Sequence, residues 1–150
     1  MDKNKRILVV DDDETIRTTM KAILEDEGYI VDLAGTGKEA VQKTREKSYN
    51  VALLDIRLPD MEGVELLKLM QDSVPRTRKI MVTGYPSMQN AISALNKNAD
   101  AYLLKPVDVE KLLNTVKQQL QAQDNERKFS EQKVAEFIES RVKELSTSQM

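Results

Sequence analysis

Short apolar runs rich in β-branched residues recur five times along the chain, and each is followed by a segment of helical period. This alternation constrains the fold more than any other feature. The runs cover 6–10, 30–34, 51–55, 79–83 and 101–104. Runs without polar alternation belong to strands covered on both faces, the condition of a parallel sheet with crossover helices. The segments between them supply those helices. Ile16, Met20, Ile23 and Leu24 form one stripe that stops at Gly28. Thr36 and Glu39 have capping-box spacing ahead of Ala40, Val41 and Thr44. Val64, Leu67 and Met70 make a third stripe closed by Pro75. Ala91, Ile92 and Leu95 make a fourth after Gly84 and Pro86. Leu112, Leu113, Val116 and Leu120 make a fifth, opened by Asp108. The expectation is an α/β protein built on a doubly wound, five-stranded parallel sheet with a C-terminal helical extension.

The extension begins where the composition changes. From about Gln121 no strand pattern returns, and 11 of the last 30 residues are charged. The division expected is one domain over 1–120 and a helical tail over 121–150. Ala135, Ile138, Val142 and Leu145 fall on a and d positions, with Glu139 and Lys143 as an i,i+4 pair. One heptad earlier the same register meets Lys128 and Glu131, so the seam holds for two heptads. A solvated helix, a linker and a short dimerising coiled coil are all open for this segment.

Composition narrows the chemistry. The chain has no cysteine and no histidine, which excludes zinc fingers, haem ligation, iron–sulfur clusters and Ser/His/Asp catalysis. A metal must then sit on oxygen, which points to Mg²⁺, Ca²⁺ or Mn²⁺. A net charge of −2 supplies no field for nucleic acid or an anionic bilayer, so neither is expected as a direct partner. The apolar runs are too short to span a membrane, and the apolar run at 7–10 is too short for a signal peptide. A cytoplasmic protein is expected.

In open parallel sheets, ligands bind beyond the carboxyl ends of the strands. Those ends carry Asp11, Asp12 and Asp13 after the first run, Asp55 in the third, Thr83 in the fourth, and Lys105 with Pro106 after the fifth. Each has a plain structural use alone, as a cap, a buried hydroxyl or a surface ammonium. Together they crowd carboxylates that repel one another unless a cation intervenes. With few oxygen donors, Mg²⁺ retaining several waters fits better than a Ca²⁺ cage.

The strings ILVVDDDETIR at 7–17, LLDIRLPDMEG at 53–63, IMVTG at 80–84 and AYLLKP at 101–106 resemble the receiver domains of two-component response regulators, the CheY-like superfamily. The resemblance covers roughly 5–120 and implies a flavodoxin-like (βα)5 fold. It implies Asp55 as phosphoacceptor and a Mg²⁺ site in which Asp12 is a direct ligand and Asp11 acts through water. Asp55 and the backbone carbonyl of Arg57 complete that site. It implies that Thr83 and Lys105 hold phosphoryl oxygens, and that Tyr102 is an aromatic switch turning inward when Thr83 moves. Asp13 matches a variable position and is expected to cap the first helix. The Lys105–Pro106 bond is commonly cis in this family.

The resemblance also implies a donor, a sensor histidine kinase or a phosphotransfer protein. The readout is implied to be a face made of the fourth helix, fifth strand and fifth helix, roughly 87–119. The downstream output is unassigned, and a homodimer has two candidate surfaces, that face and the C-terminal helix. On this reading the chain is not an enzyme beyond catalysing its own phosphorylation and dephosphorylation. Arg57 and Tyr85, two positions after the phosphoacceptor and after the threonine, are not evident activators of water, so slow self-hydrolysis is expected. The fifth helical segment lacks the arginine of the winged-helix subclass.

Other readings fit less well. AGTGKEA at 34–40 imitates a phosphate-binding loop, but Asp32 and Glu39 stand where glycine and a hydroxyl residue are needed. A flavodoxin wants a glycine- and hydroxyl-rich loop after the first strand. A haloacid-dehalogenase-type phosphatase wants a second Asp at position 57, which is Arg57.

Overall fold

The computed structural model describes residues 4–70, 75–84 and 99–148. Five strands, β1 (Arg6–Val10), β2 (Ile30–Ala34), β3 (Val51–Asp55), β4 (Arg78–Thr83) and β5 (Ala101–Leu104), pair in parallel in the order β2-β1-β3-β4-β5. Four strands occupy the expected residues, and β4 begins one residue earlier, at Arg78. The helices are α1 (Glu14–Asp26), α2 (Gly37–Glu46), α3 (Gly63–Leu69) and α4 (Val109–Ser148). The expected helix with Ala91, Ile92 and Leu95, and with it Tyr85, lies outside the described residues.

The sheet is doubly wound because alternate strand residues supply two cores. Ile7, Val9, Leu53, Ile80 and Val82 pack with Met20 and Leu24 of α1 and Leu112, Val116 and Leu120 of α4. Leu8, Val10, Ala52, Leu54 and Met81 pack on the other face with Ala40 of α2 and Leu66 and Leu67 of α3. Each wholly buried Leu or Ile contributes about 1.5–3 kcal/mol relative to exposure, so both faces hold the strands in register.

Local signals set the helix ends. Asp13 caps α1, its carboxylate accepting from Ile16 N. Gly28, at φ 97°, ends α1 in a Schellman arrangement, with Gly28 N donating to Glu25 O and Tyr29 N to Leu24 O. Thr36 caps α2 by accepting from Glu39 N, while Glu39 answers to Gly35 N rather than to the Thr36 amide of a standard capping box.

Helix α4 runs unbroken through the composition change at Gln121. Gln123 is buried, donating to the carbonyls of Asn50 and Arg76 and accepting from Asn50 Nδ2. Glu126 reaches Arg76 and Arg78. From Arg127 to Ser146 the side chains are exposed, a projection of about 30 Å at 1.5 Å per residue.

Candidate functional site

The register brings the strand ends level. Val10 pairs with Leu54, Asp55 with Val82 and Thr83 with Leu104, so Asp11, Asp55, Thr83 and Lys105 meet at one edge. Asp11 follows the last residue of β1 and is buried, with its backbone N–H donating to Ala34 O. Asp55 ends a strand buried throughout and is itself 4% exposed. Among the described residues, Asp11, Asp12 and Asp55 form the group able to hold a metal, each offering an oxygen within 4.8 Å of the others. Asp12 is exposed and opens the group to solvent. Asp13 stands apart at the α1 cap, as its expected role requires.

One ammonium bridges two of these acids. Lys105 Nζ lies 2.8 Å from Asp11 Oδ2 and 3.3 Å from Asp55 Oδ2. Lys105 is placed by its backbone, which donates to Thr83 O at 2.7 Å, and the Lys105–Pro106 bond is cis. Burial pushes the Asp55 carboxyl up, the Asp11 charge adds to this, and Lys105 opposes it without cancelling it. Burial alone would lower the Lys105 ammonium, but the two carboxylates hold it above its ordinary value. The edge thus gathers two buried carboxylates about the Lys105 ammonium.

Three further contacts shape it. Asp55 Oδ1 accepts from Arg57 N at 3.2 Å. Arg17 Nη1 donates to Asp11 O at 2.7 Å and lies against Gly35, where a Cβ would stand 3.1 Å from that nitrogen. Gly63 meets the backbone behind Asp55, and a Cβ there would lie 2.4 Å from Asp55 O. Sequence reasoning assigned no role to Arg17 or Gly63, although both sit inside strings quoted for the resemblance. Thr83 is 1% exposed, and Tyr102, on β5, stands outward at 45% exposure.

A five-stranded parallel sheet with acids, a hydroxyl and a cis-linked lysine at its carboxyl edge is the arrangement of a receiver module. Residues 7–117 match the family model of the response regulator receiver domain, and the chain belongs to that family of two-component proteins. It is 41% identical over 114 residues to the transcriptional regulatory protein ZraR of Klebsiella oxytoca, covering 76% of this chain and 26% of that protein. A CheY-like receiver domain protein from Methanospirillum hungatei JF-1 is 48% identical with a TM-score of 0.75, covering 83% of this chain and 99% of that one. The response regulator TrrA of Thermotoga maritima, solved in complex with Mg²⁺-BeF, is 33% identical with a TM-score of 0.68, over 77% and 98% of the two chains. The chain spans about a quarter of the length of ZraR. Among the described residues, no helix is long and apolar enough to cross a membrane.

Proposed function

We propose that this chain is the phosphoacceptor module of a two-component relay, with Asp55 taking a phosphoryl group from a sensor histidine kinase or phosphotransfer protein. The observation that carries this reading is the convergence of Asp11, Asp12 and Asp55 within 4.8 Å around a buried acceptor already touched by Lys105. The donor set fits Mg²⁺. It consists of hard oxygens, few in number and open to water through Asp12. Asp12 and Asp55 would bind the ion directly with the Arg57 carbonyl, and Asp11 through water. Held there, Mg²⁺ would neutralise the repulsion between a carboxylate and an anionic phosphoryl donor.

The chain's own residues do the rest. An Asp55 carboxylate oxygen attacks phosphorus as the bond from phosphorus to the donor breaks, leaving an acyl phosphate on Asp55. Lys105, now shared between two carboxylates, gains a phosphoryl oxygen as partner, and the Thr83 hydroxyl donates to another. Movement of Thr83 vacates space that Tyr102 fills from its outward position, which biases two packings of the β5 and α4 surface. The module acts catalytically on itself alone, works in the cytoplasm, and signals by protein contact rather than by binding nucleic acid.

The projecting part of α4 is assigned to a second copy of the chain. Val134, Ile138, Val142 and Leu145 are each more than half exposed along one stripe. The charges beside them pair within the helix, as in Arg141–Glu144 and Lys143–Glu139, so two copies meet without a net field.

Mass spectrometry after treatment with acetyl phosphate and Mg²⁺ tests the central reading. One phosphoryl group should appear on the parent chain and none on Asp55→Asn. Phosphorylation retained by that variant, or steady turnover of phosphomonoesters, overturns it.

A further inference from the structure

The amides that open α2 are occupied by a carboxylate from another element. Asp60, in the loop between β3 and α3, accepts from Gly37 N at 2.8 Å through Oδ1 and from Lys38 N at 3.0 Å through Oδ2. Thr36 Oγ1 accepts from Glu39 N, and Glu39 Oε2 from Gly35 N. In the string 34–40 that imitates a phosphate-binding loop, the amides of Gly35, Gly37, Lys38 and Glu39 are therefore taken by the protein's own side chains. The positive end of a helix favours such an anion, and the N–H groups of Gly37 and Lys38 hold the Asp60 carboxyl below the usual carboxylate range.

The same contact has an apolar half. Met61 fills the space over Gly37, where a Cβ would lie 2.4 Å from the thioether sulfur. Asp60 and Met61 together seat the tip of the loop on α2. That loop is otherwise held by its own backbone, through Leu58 N donating to Met61 O, Gly63 N to Ile56 O, and a bridge between Arg57 and Glu62. It carries Arg57, three residues before Asp60, whose amide already touches Asp55.

We propose that Asp60 is a positioning residue for cation binding, tethering the loop to α2 so that the Arg57 carbonyl is in place beside the acids before the metal arrives. The inference rests on the reading of the acidic edge as a Mg²⁺ site. Its physical basis is preorganisation: a donor fixed by folding is not ordered at the expense of binding.

The full chain is titrated with Mg²⁺ by calorimetry, and its phosphorylation by acetyl phosphate is followed at limiting and saturating Mg²⁺. Asp60→Ala should raise the Mg²⁺ midpoint by about tenfold, a typical loss when a group supporting a ligand is removed. Asp60→Asn, which keeps one acceptor oxygen, should raise it less. Saturating Mg²⁺ should restore both variants to the parent's extent of phosphorylation. A midpoint unchanged in the folded variants, or a loss that saturating Mg²⁺ does not repair, overturns the proposal. Asp60→Asn decides the matter where Asp60→Ala does not fold. Failure of the parent itself to bind Mg²⁺ or to take phosphate on Asp55 instead overturns the phosphoacceptor reading beneath it.

Discussion

Asp55→Asn should make the metal-free protein more stable while ending its chemistry. The acid oxygens lie within 4.8 Å of one another, and at that outer limit two carboxylates repel by about 3.5 kcal/mol at an effective dielectric of 20. Asp55 faces two such neighbours, and the share from exposed Asp12 is reduced by solvent. Against this, Lys105 at 3.3 Å attracts by about 5 kcal/mol. The charge terms nearly cancel, so the penalty of burying a carboxylate that is 4% exposed decides the sign. That penalty is several kcal/mol per ion after relaxation, and an amide avoids most of it. After allowance for the new amide's own hydrogen-bonding needs, about 1–2 kcal/mol should remain in favour of Asn. For a chain of this length that is a rise in Tm of about 3–6 °C. The assay is thermal unfolding followed by circular dichroism at pH 7, in EDTA and then in Mg²⁺. A ligand at a hundred times its Kd adds about 2.7 kcal/mol to a folded state that binds it, so Mg²⁺ should stabilise the parent more and close or invert the gap. A variant that melts below the parent in EDTA refutes the reasoning, because burying the Asp55 carboxylate would then not carry the cost that decides the sign.

The remaining predictions concern other parts of the fold. Asp100 holds Arg76 by bonds of 3.0 and 2.8 Å and takes Lys79 N at 2.8 Å. Burial would raise its carboxyl, but Arg76, the Lys79 amide and Arg78 outweigh that and keep it below the ordinary range. A depressed carboxylate stabilises at neutral pH, and that contribution is lost as pH falls through the ordinary value near 4 towards the folded one. Asp100→Asn should thus cost about 2 kcal/mol at pH 7, with the difference shrinking in acid; a difference constant from about pH 7 to pH 3 on urea unfolding contradicts this. Gly63→Ala sets a Cβ against the backbone of Asp55 and Ile56, and should cost about 3 kcal/mol and depress phosphorylation; a variant as stable as the parent in urea would show that the backbone can yield. Ile138→Glu should convert a dimer of the full chain to monomer in sedimentation without changing phosphorylation of Asp55, and a parent that sediments as a monomer rules out the second copy as occupant of the α4 stripe.

The carboxyl edge was legible in the sequence because the fold does the adding. Five apolar runs with level ends convert residues far apart in number into neighbours, so Asp11, Asp55, Thr83 and Lys105 could be read together before any distance was known. Asp60 was not legible in this way. Its contact spans 22 to 23 residues between a proline loop and a helix start, and neither segment has a period that fixes the other. The opposite edge of the sheet was missed for a different reason. On α4, Gln119 sits inside the apolar stripe, just before Leu120, and Gln123 and Glu126 lie past it, and a polar residue reads as surface when its partner is polar as well. There, Arg78 Nε donates to Gln119, Gln123 takes up Asn50, and Arg76 and Arg78 share Asp100 and Glu126. The two edges differ in physical character. One gathers carboxylates about the Lys105 ammonium, while the other pairs its charges and joins three strands to the helix that leaves the domain. A body braced at the far edge can carry the cost of burying carboxylates at the near one, and the helix fastened to that brace leaves the domain in a direction fixed by it.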